Sequence, residues 1–202
     1  MPVVQIHQFP ASDAFIANQG IAKRPLDILK GMNGQIERYY GLQVEDNKTG
    51  FIVLVGVSYE DFADLRNNPS YPTFIDTFQA LHVEGPQSQI RVDFNGDTTS
   101  VFKAPVTEFT LAKAKEGVAS TIEERKKAIR NIWTMLKSAK GLHGIVPGEI
   151  RGDPDTISAV LGWDSVDAHV QAITPEEITS AIGDFMRIAS PETPHAKLTR
   201  HE

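Results

Sequence analysis

Cysteine is absent from this chain of 202 residues. That excludes disulfides, thiolate metal sites and a cysteine nucleophile together. Long apolar runs are missing too: none approaches the roughly eighteen residues of a membrane span, so no membrane partner is expected. The opening Met1-Pro2-Val3-Val4-Gln5-Ile6-His7 lacks a basic segment followed by a long apolar one. A signal peptide is therefore not expected, and the chain reads as cytoplasmic. Positive charge is in short supply, with 20 Lys and Arg against 26 Asp and Glu and a net charge of −6. No Lys/Arg cluster lies beside aromatic residues. A protein that grips phosphates normally shows a basic face, so nucleic acid is not an expected partner. There is no His-x-x-x-His, no Glu-x-x-His and no Gly-rich loop after a strand. These absences argue against a metal site and a nucleotide site.

What is present suits a globular protein. Hydrophobic residues make up 41% and charged residues 23%, enough apolar material for a sizeable core. The dominant feature is an internal doubling. Gly56-Val57-Ser58-Tyr59-Glu60-Asp61 pairs with Gly162-Trp163-Asp164-Ser165-Val166-Asp167. Lys30-Gly31-Met32-Asn33-Gly34 pairs with Lys140-Gly141-Leu142-His143-Gly144, and Ile75-Asp76-Thr77-Phe78 with Ile182-Gly183-Asp184-Phe185. The three matches keep one order and nearly one spacing. They divide the chain into a first unit over 1–96, a linker over 97–105 and a second unit over 106–202, each unit a common domain size.

The first unit opens with a strand from Val3 to Phe9, then a broken helical region from Asp13 to Lys30. Pro25 suits the first turn of a new helix, and Gly31 and Gly34 stop it. Gln35–Val44 and Phe51–Val57 are β-rich around an Asp46–Gly50 hairpin turn. Ser58 with Asp61 predicts a capped helix from Tyr59 to about Arg66. Pro69 and Pro72 interrupt it before a segment from Thr73 to Leu81. Ser88 to Phe94 alternates as a half-buried strand.

The second unit repeats the order. Val106 to Leu111 is a strand. Thr121-x-x-Glu124 caps a helix whose apolar stripe is Ile122, Ile129, Ile132, Trp133 and Leu136. Strands follow over Ile145–Ile150 and Thr156–Leu161. Asp164-x-x-Asp167 predicts another capped helix, and a helix restarted at Pro175 reaches about Ala189. Pro194 to Arg200 is the last strand. Each unit thus reads β-α-β-β-α-β, the ferredoxin-like arrangement. The fold class is α+β, with two tandem units packed sheet to sheet.

This order, the strand ending at Gly56 or Gly162-Trp163 and the capped helix after it resemble the dimeric α/β barrel superfamily. Gly162 to His169 is similar to the strand, tryptophan, acid, helix segment of antibiotic-biosynthesis-monooxygenase-like domains. Asn67 to Pro72 resembles the His-Pro-x-His segment of stress-responsive A/B barrels, with Asn68 and Tyr71 in place of the histidines. The resemblance implies a pseudo-dimeric barrel with a pocket between sheet and helices in each unit. It also implies a small hydrophobic, phenolic or polyketide-like substrate and an oxygenase, cyclase or lyase working without a bound cofactor. The alternative is a non-catalytic ligand-binding or stress-associated barrel. A haem is the alternative cofactor, with His7, His82 and His169 as open ligands. A homodimer of the fused chain is compatible with either reading.

Candidate site residues follow. In related cyclases a first-strand histidine helps to deprotonate substrate, the place held here by His7; it is otherwise a histidine bonded at a strand edge. Glu108 serves as a base if its side chain turns into an apolar interior, and does nothing if it faces solvent. Tyr71, stiffened between prolines, could donate to an enolate. Trp163, Trp133 and Tyr59 are candidate substrate-binding residues, the tryptophans as aromatic walls or as core. No metal ligand is assigned: His143 and His169 show no metal-type partners, and Asp167 diverges from His169 on a helix.

Overall fold

In the computed structural model the structure describes residues 2–31, 37–56, 58 and 67–202. The predicted helix over 59–66, the Ser58/Asp61 cap, Gly34 and the candidate Tyr59 lie outside the described residues. The chain divides into two compact units. One comprises residues 1–93 and 196–202, the other 94–195. The segment expected as a linker carries a short helix, Thr99–Phe102, whose Val101 and Phe102 are buried.

The first unit contains β1 (Val3–Pro10), α1 (Asp13–Ala17), α2 (Lys23–Ile28), β2 (Glu37–Gln43), β3 (Thr49–Gly56), α3 (Tyr71–Gln79) and β4 (Ser88–Phe94, whose last residue falls in the second unit). Its strands pair antiparallel in the order β4, β1, β3, β2, the ferredoxin-like order. A last strand, β9 (His195–His201), adds to β2. Two short 3₁₀ turns flank α2, and Pro25 sits in its first turn. α3 begins at Tyr71 rather than at the expected Thr73, with Pro72 in its first turn, where no N–H bond is lost. Alternate β1 residues Val3 and Phe9 join α2 and α3 in the apolar core, together with Tyr40, Ile52 and Leu54. Gly41 is required where β2 meets β9: a Cβ there would stand 1.9 Å from the Lys197 carbonyl oxygen.

The second unit contains α4 (Thr99–Phe102), β5 (Val106–Ala114), α5 (Ile122–Leu136), β6 (Leu142–Ile150), β7 (Asp153–Trp163), α6 (Val166–Ile173), α7 (Glu176–Ile188) and β8 (Ala189–Glu192). Its sheet runs β6, β7, β5, β8, all antiparallel. The α5 cap forms as predicted: Thr121 Oγ1 accepts from Glu124 N–H at 3.2 Å, and Glu124 accepts from Thr121 N–H at 2.7 Å. Ile129, Ile132 and Leu136 are buried along one stripe, with Ile122 and Trp133 partly buried against the same core.

Two local expectations shift. The cap of α6 is Ser165, not Asp164; its hydroxyl accepts from Ala168 N–H at 3.0 Å. Asp164 instead accepts from or pairs with His143 at 2.7 Å. The chain's end holds two strands rather than one, because α7 runs straight into β8 at Ala189.

Candidate functional site

The second unit gathers its chemistry on the helix-facing side of β5. Alternation puts Val106, Glu108, Thr110 and Ala112 on one face. Val106 and Ala112 belong to the core shared with α5 and α7. Glu108 therefore turns inward and is 3% exposed. The opposite face carries Thr107 and Phe109, also buried.

A carboxylate in such a place needs donors. Glu108 Oε1 accepts from Thr110 Oγ1 at 2.9 Å, and Oε2 accepts from the Trp163 indole Nε1–H at 2.9 Å. His169 Nδ1 lies 3.6 Å and His195 Nε2 3.9 Å from Oε2. The two imidazoles share a hydrogen bond of 2.8 Å between His169 Nδ1 and His195 Nε2. Trp163 stacks on His169, with ring centres 4.9 Å apart and planes 24° apart.

Each element places its residue for a local reason. Trp163 closes β7, opposite Val106. The Ser165 cap starts α6, and His169 faces inward one turn later while Asp167 is exposed. Gly141, at φ +84°, lets the chain pass close to α6: a Cβ there would lie 2.9 Å from Ala168 Cβ. Phe109 N–H donates to the Pro194 carbonyl at 2.9 Å, which seats the next residue, His195, beside Glu108.

The expected residues thus separate. Glu108 and Trp163 come together. Trp133 lines a different cavity of about 270 Å³ with Lys126, Arg130, Glu149 and Ile157. His7 and Tyr71 belong to the first unit. There Gln5 Nε2 bonds His7 Nε2 at 2.5 Å, and Arg91 donates to Gln5 Oε1 at 3.0 Å. Burial, and then the Arg91 charge, lower the His7 pKa to about 4. Its ring meets Phe78 edge-on at 5.7 Å. Tyr71 is half-buried and stacks on Phe74 at 6.2 Å.

His195 escaped the sequence reading, and His169 was read as lacking partners. Neither shares a short spacing with Glu108. Their ligand atoms nonetheless lie, with that of Glu108, within 4.8 Å of one another. The donors come from β5, α6 and β9, so no local motif could show them.

No family model matches the chain, and no curated protein matches it. Among solved structures it is similar to a Fusobacterium nucleatum protein described as a "putative monooxygenase", at 14% identity and a TM-score of 0.72, covering 100% of this chain and 94% of that one. It is also similar to an anthrone oxidase-like protein, at 14% identity and a TM-score of 0.68, covering 98% and 91%. A Thermus thermophilus protein described as a novel heme-binding protein matches at 10% identity and a TM-score of 0.54, covering 98% and 90%.

The expectation of no cofactor is therefore corrected. A fold of this kind occurs in a haem-binding protein, and this chain holds a convergent Glu/His/His set. That set does not fit a haem as its joint ligands. A haem iron has four equatorial porphyrin nitrogens and offers only two axial positions, on opposite faces; three donors converging on one point cannot fill them. Each of the two units has the ferredoxin-like α+β arrangement, and the fold of the chain is similar to that of the Fusobacterium protein and of the anthrone oxidase-like protein.

Proposed function

We propose that this protein is an oxygenase-type enzyme acting on a small hydrophobic or phenolic molecule, with Glu108, His169 and His195 as its reactive centre. The observation that carries the reading is a buried carboxylate beside two imidazoles that share one hydrogen bond. Structural soluble cores seldom bury three such groups together unless they are paired for a purpose.

The chemistry follows from the geometry. A phenol or enol gives up an electron to dioxygen more readily once its proton is gone. An imidazole takes that proton near neutral pH. Here the two rings share one hydrogen, and the carboxylate at 3.6 and 3.9 Å offsets the positive charge that forms when the pair takes up the substrate's proton. Thr110 and Trp163 hold the carboxylate in place. Trp163 presents the indole on which His169 rests and fixes that ring's plane. The fold shared with the anthrone oxidase-like protein and the Fusobacterium protein supports the same class of reaction. His7, with a pKa lowered to about 4 by burial and the Arg91 charge, is a weak base at neutral pH.

The test is dioxygen consumption by the full chain over a panel of phenols and anthrones. Glu108→Gln and His169→Gln should each lower kcat/KM by about 10² to 10⁴, the usual worth of general acid–base catalysis. Turnover undiminished in both variants, or none over the panel, would overturn the reading.

A further inference from the structure

We infer that Glu108 Oε2, His169 Nδ1 and His195 Nε2 are the protein ligands of a single divalent first-row transition ion. As a catalytic assignment this rests on the function proposed above. As a binding site it stands on geometry alone.

The three atoms form a triangle with sides of 2.8, 3.6 and 3.9 Å. A point in its plane lies about 2 Å from every corner, which is the length of zinc–nitrogen and zinc–oxygen bonds. An ion seated there, or slightly above the plane, would reach all three without moving the backbone. Two imidazoles and one carboxylate select transition ions over magnesium and calcium, which prefer all-oxygen sets. Three ligands around the ion also leave the positions above and below their plane for water or a substrate oxygen, as catalytic sites with three protein ligands do.

The surroundings support the ligands as metal sites require. Metal-binding carboxylates and imidazoles are usually held by outer partners. Thr110 and Trp163 donate to the two oxygens of Glu108, and the indole stacks on His169. The ligand side chains are 5%, 12% and 7% exposed for Glu108, His169 and His195. Thr110 and Trp163 are neutral donors, so among the described residues the groups that can bring positive charge to Glu108 are the two histidines. An ion there would require the tautomers in which His169 Nδ1 and His195 Nε2 both carry lone pairs.

The experiment uses the full chain, stripped with chelator and titrated without substrate and without oxygen. Cobalt(II) should saturate at one per chain, with visible bands of a nitrogen- and oxygen-ligated ion. Zinc(II) should raise the melting temperature, as any ligand of the folded state does. Glu108→Gln and His195→Gln should lose more than the about 10–100-fold in affinity that follows loss of an outer partner; Trp163→Phe should lose about that much and keep the stoichiometry. Because a ligand variant can unfold, histidine ring spectra of the unmodified protein give a second measure. Two of the six histidines should respond to zinc. Absence of saturable binding, or full binding in both ligand variants, or unmoved histidine signals, overturns the inference. Ion binding without phenolic turnover would keep the site and remove the oxygenase reading. Turnover without ion binding would do the reverse.

Discussion

Trp163 and Glu108 hydrogen-bond diagonally across paired strands, Nε1–H to Oε2 at 2.9 Å. Directly opposite Trp163 is Val106, and opposite Glu108 is Leu161. A large indole can reach such a diagonal neighbour. The bond ties a fully buried aromatic to a buried acid, so each is conditional on the other.

Removing the indole N–H should be expensive. Trp163→Phe leaves Glu108 Oε2 short of a donor in a buried place. The expected loss is about 1–3 kcal/mol from the unsatisfied acceptor, with lost packing added. Urea unfolding should show a lower midpoint at constant slope. Combined with Glu108→Leu, the loss should fall below the sum of the single losses, because the partners share one interaction.

His7 should impose a pH dependence on stability. Its folded pKa of about 4 lies below the ordinary 6.5. Above pH 6.5 both folded and unfolded chains hold it neutral, and its contribution is constant. As the pH falls, the unfolded chain takes the proton first, so stability drains away down to about pH 4. The gap corresponds to at most about 3 kcal/mol. His7→Asn should flatten this part of the stability–pH curve. Parallel curves for the two proteins would show that the ring is not held neutral.

Thr121 should matter to α5 and not to the site. Its hydroxyl and the Glu124 carboxylate satisfy each other's backbone groups. Thr121→Ala should cost about 1 kcal/mol in denaturant unfolding, the usual worth of a cap. Metal titration of this variant should match that of the unmodified chain.

Gly41 should tolerate no side chain. A methyl group there would collide with the Lys197 carbonyl at 1.9 Å. Gly41→Ala should destabilise by about 1–3 kcal/mol through overpacking. Hydrogen exchange should quicken first over residues 196–201, the strand paired with β2.

The fold was legible where one residue fixes a local choice. Thr121 and Glu124 marked the start of α5, and the alternation of Ile90, Val92 and Phe94 marked β4. Boundaries slipped where two choices were close in energy. Asp164 and Ser165 can each cap a helix, and the preference went to serine once Asp164 had His143 to bond. The helix after the prolines begins at Tyr71, two residues before the expected Thr73, because Pro72 fits a first turn. The site was half legible. Glu108 and Trp163 stood out as an acid in a strand and an aromatic at a strand end. His169 and His195 did not, since proximity between residues 108, 169 and 195 is created by strand pairing and by the Phe109 bond to the Pro194 carbonyl, neither of which leaves a periodic trace.

Side chains 108 and 110 share one side of β5, and Phe109 takes the other. Slipping this strand by a single position against β7 would flip all three at once. The acid would then meet α4 and the phenyl ring would stand among the imidazoles. Such a misfolded molecule would keep its β-sheet signature in circular dichroism. Cobalt colour, by contrast, would be lost from it entirely, so uptake of the ion would count correctly zipped molecules in a refolded sample.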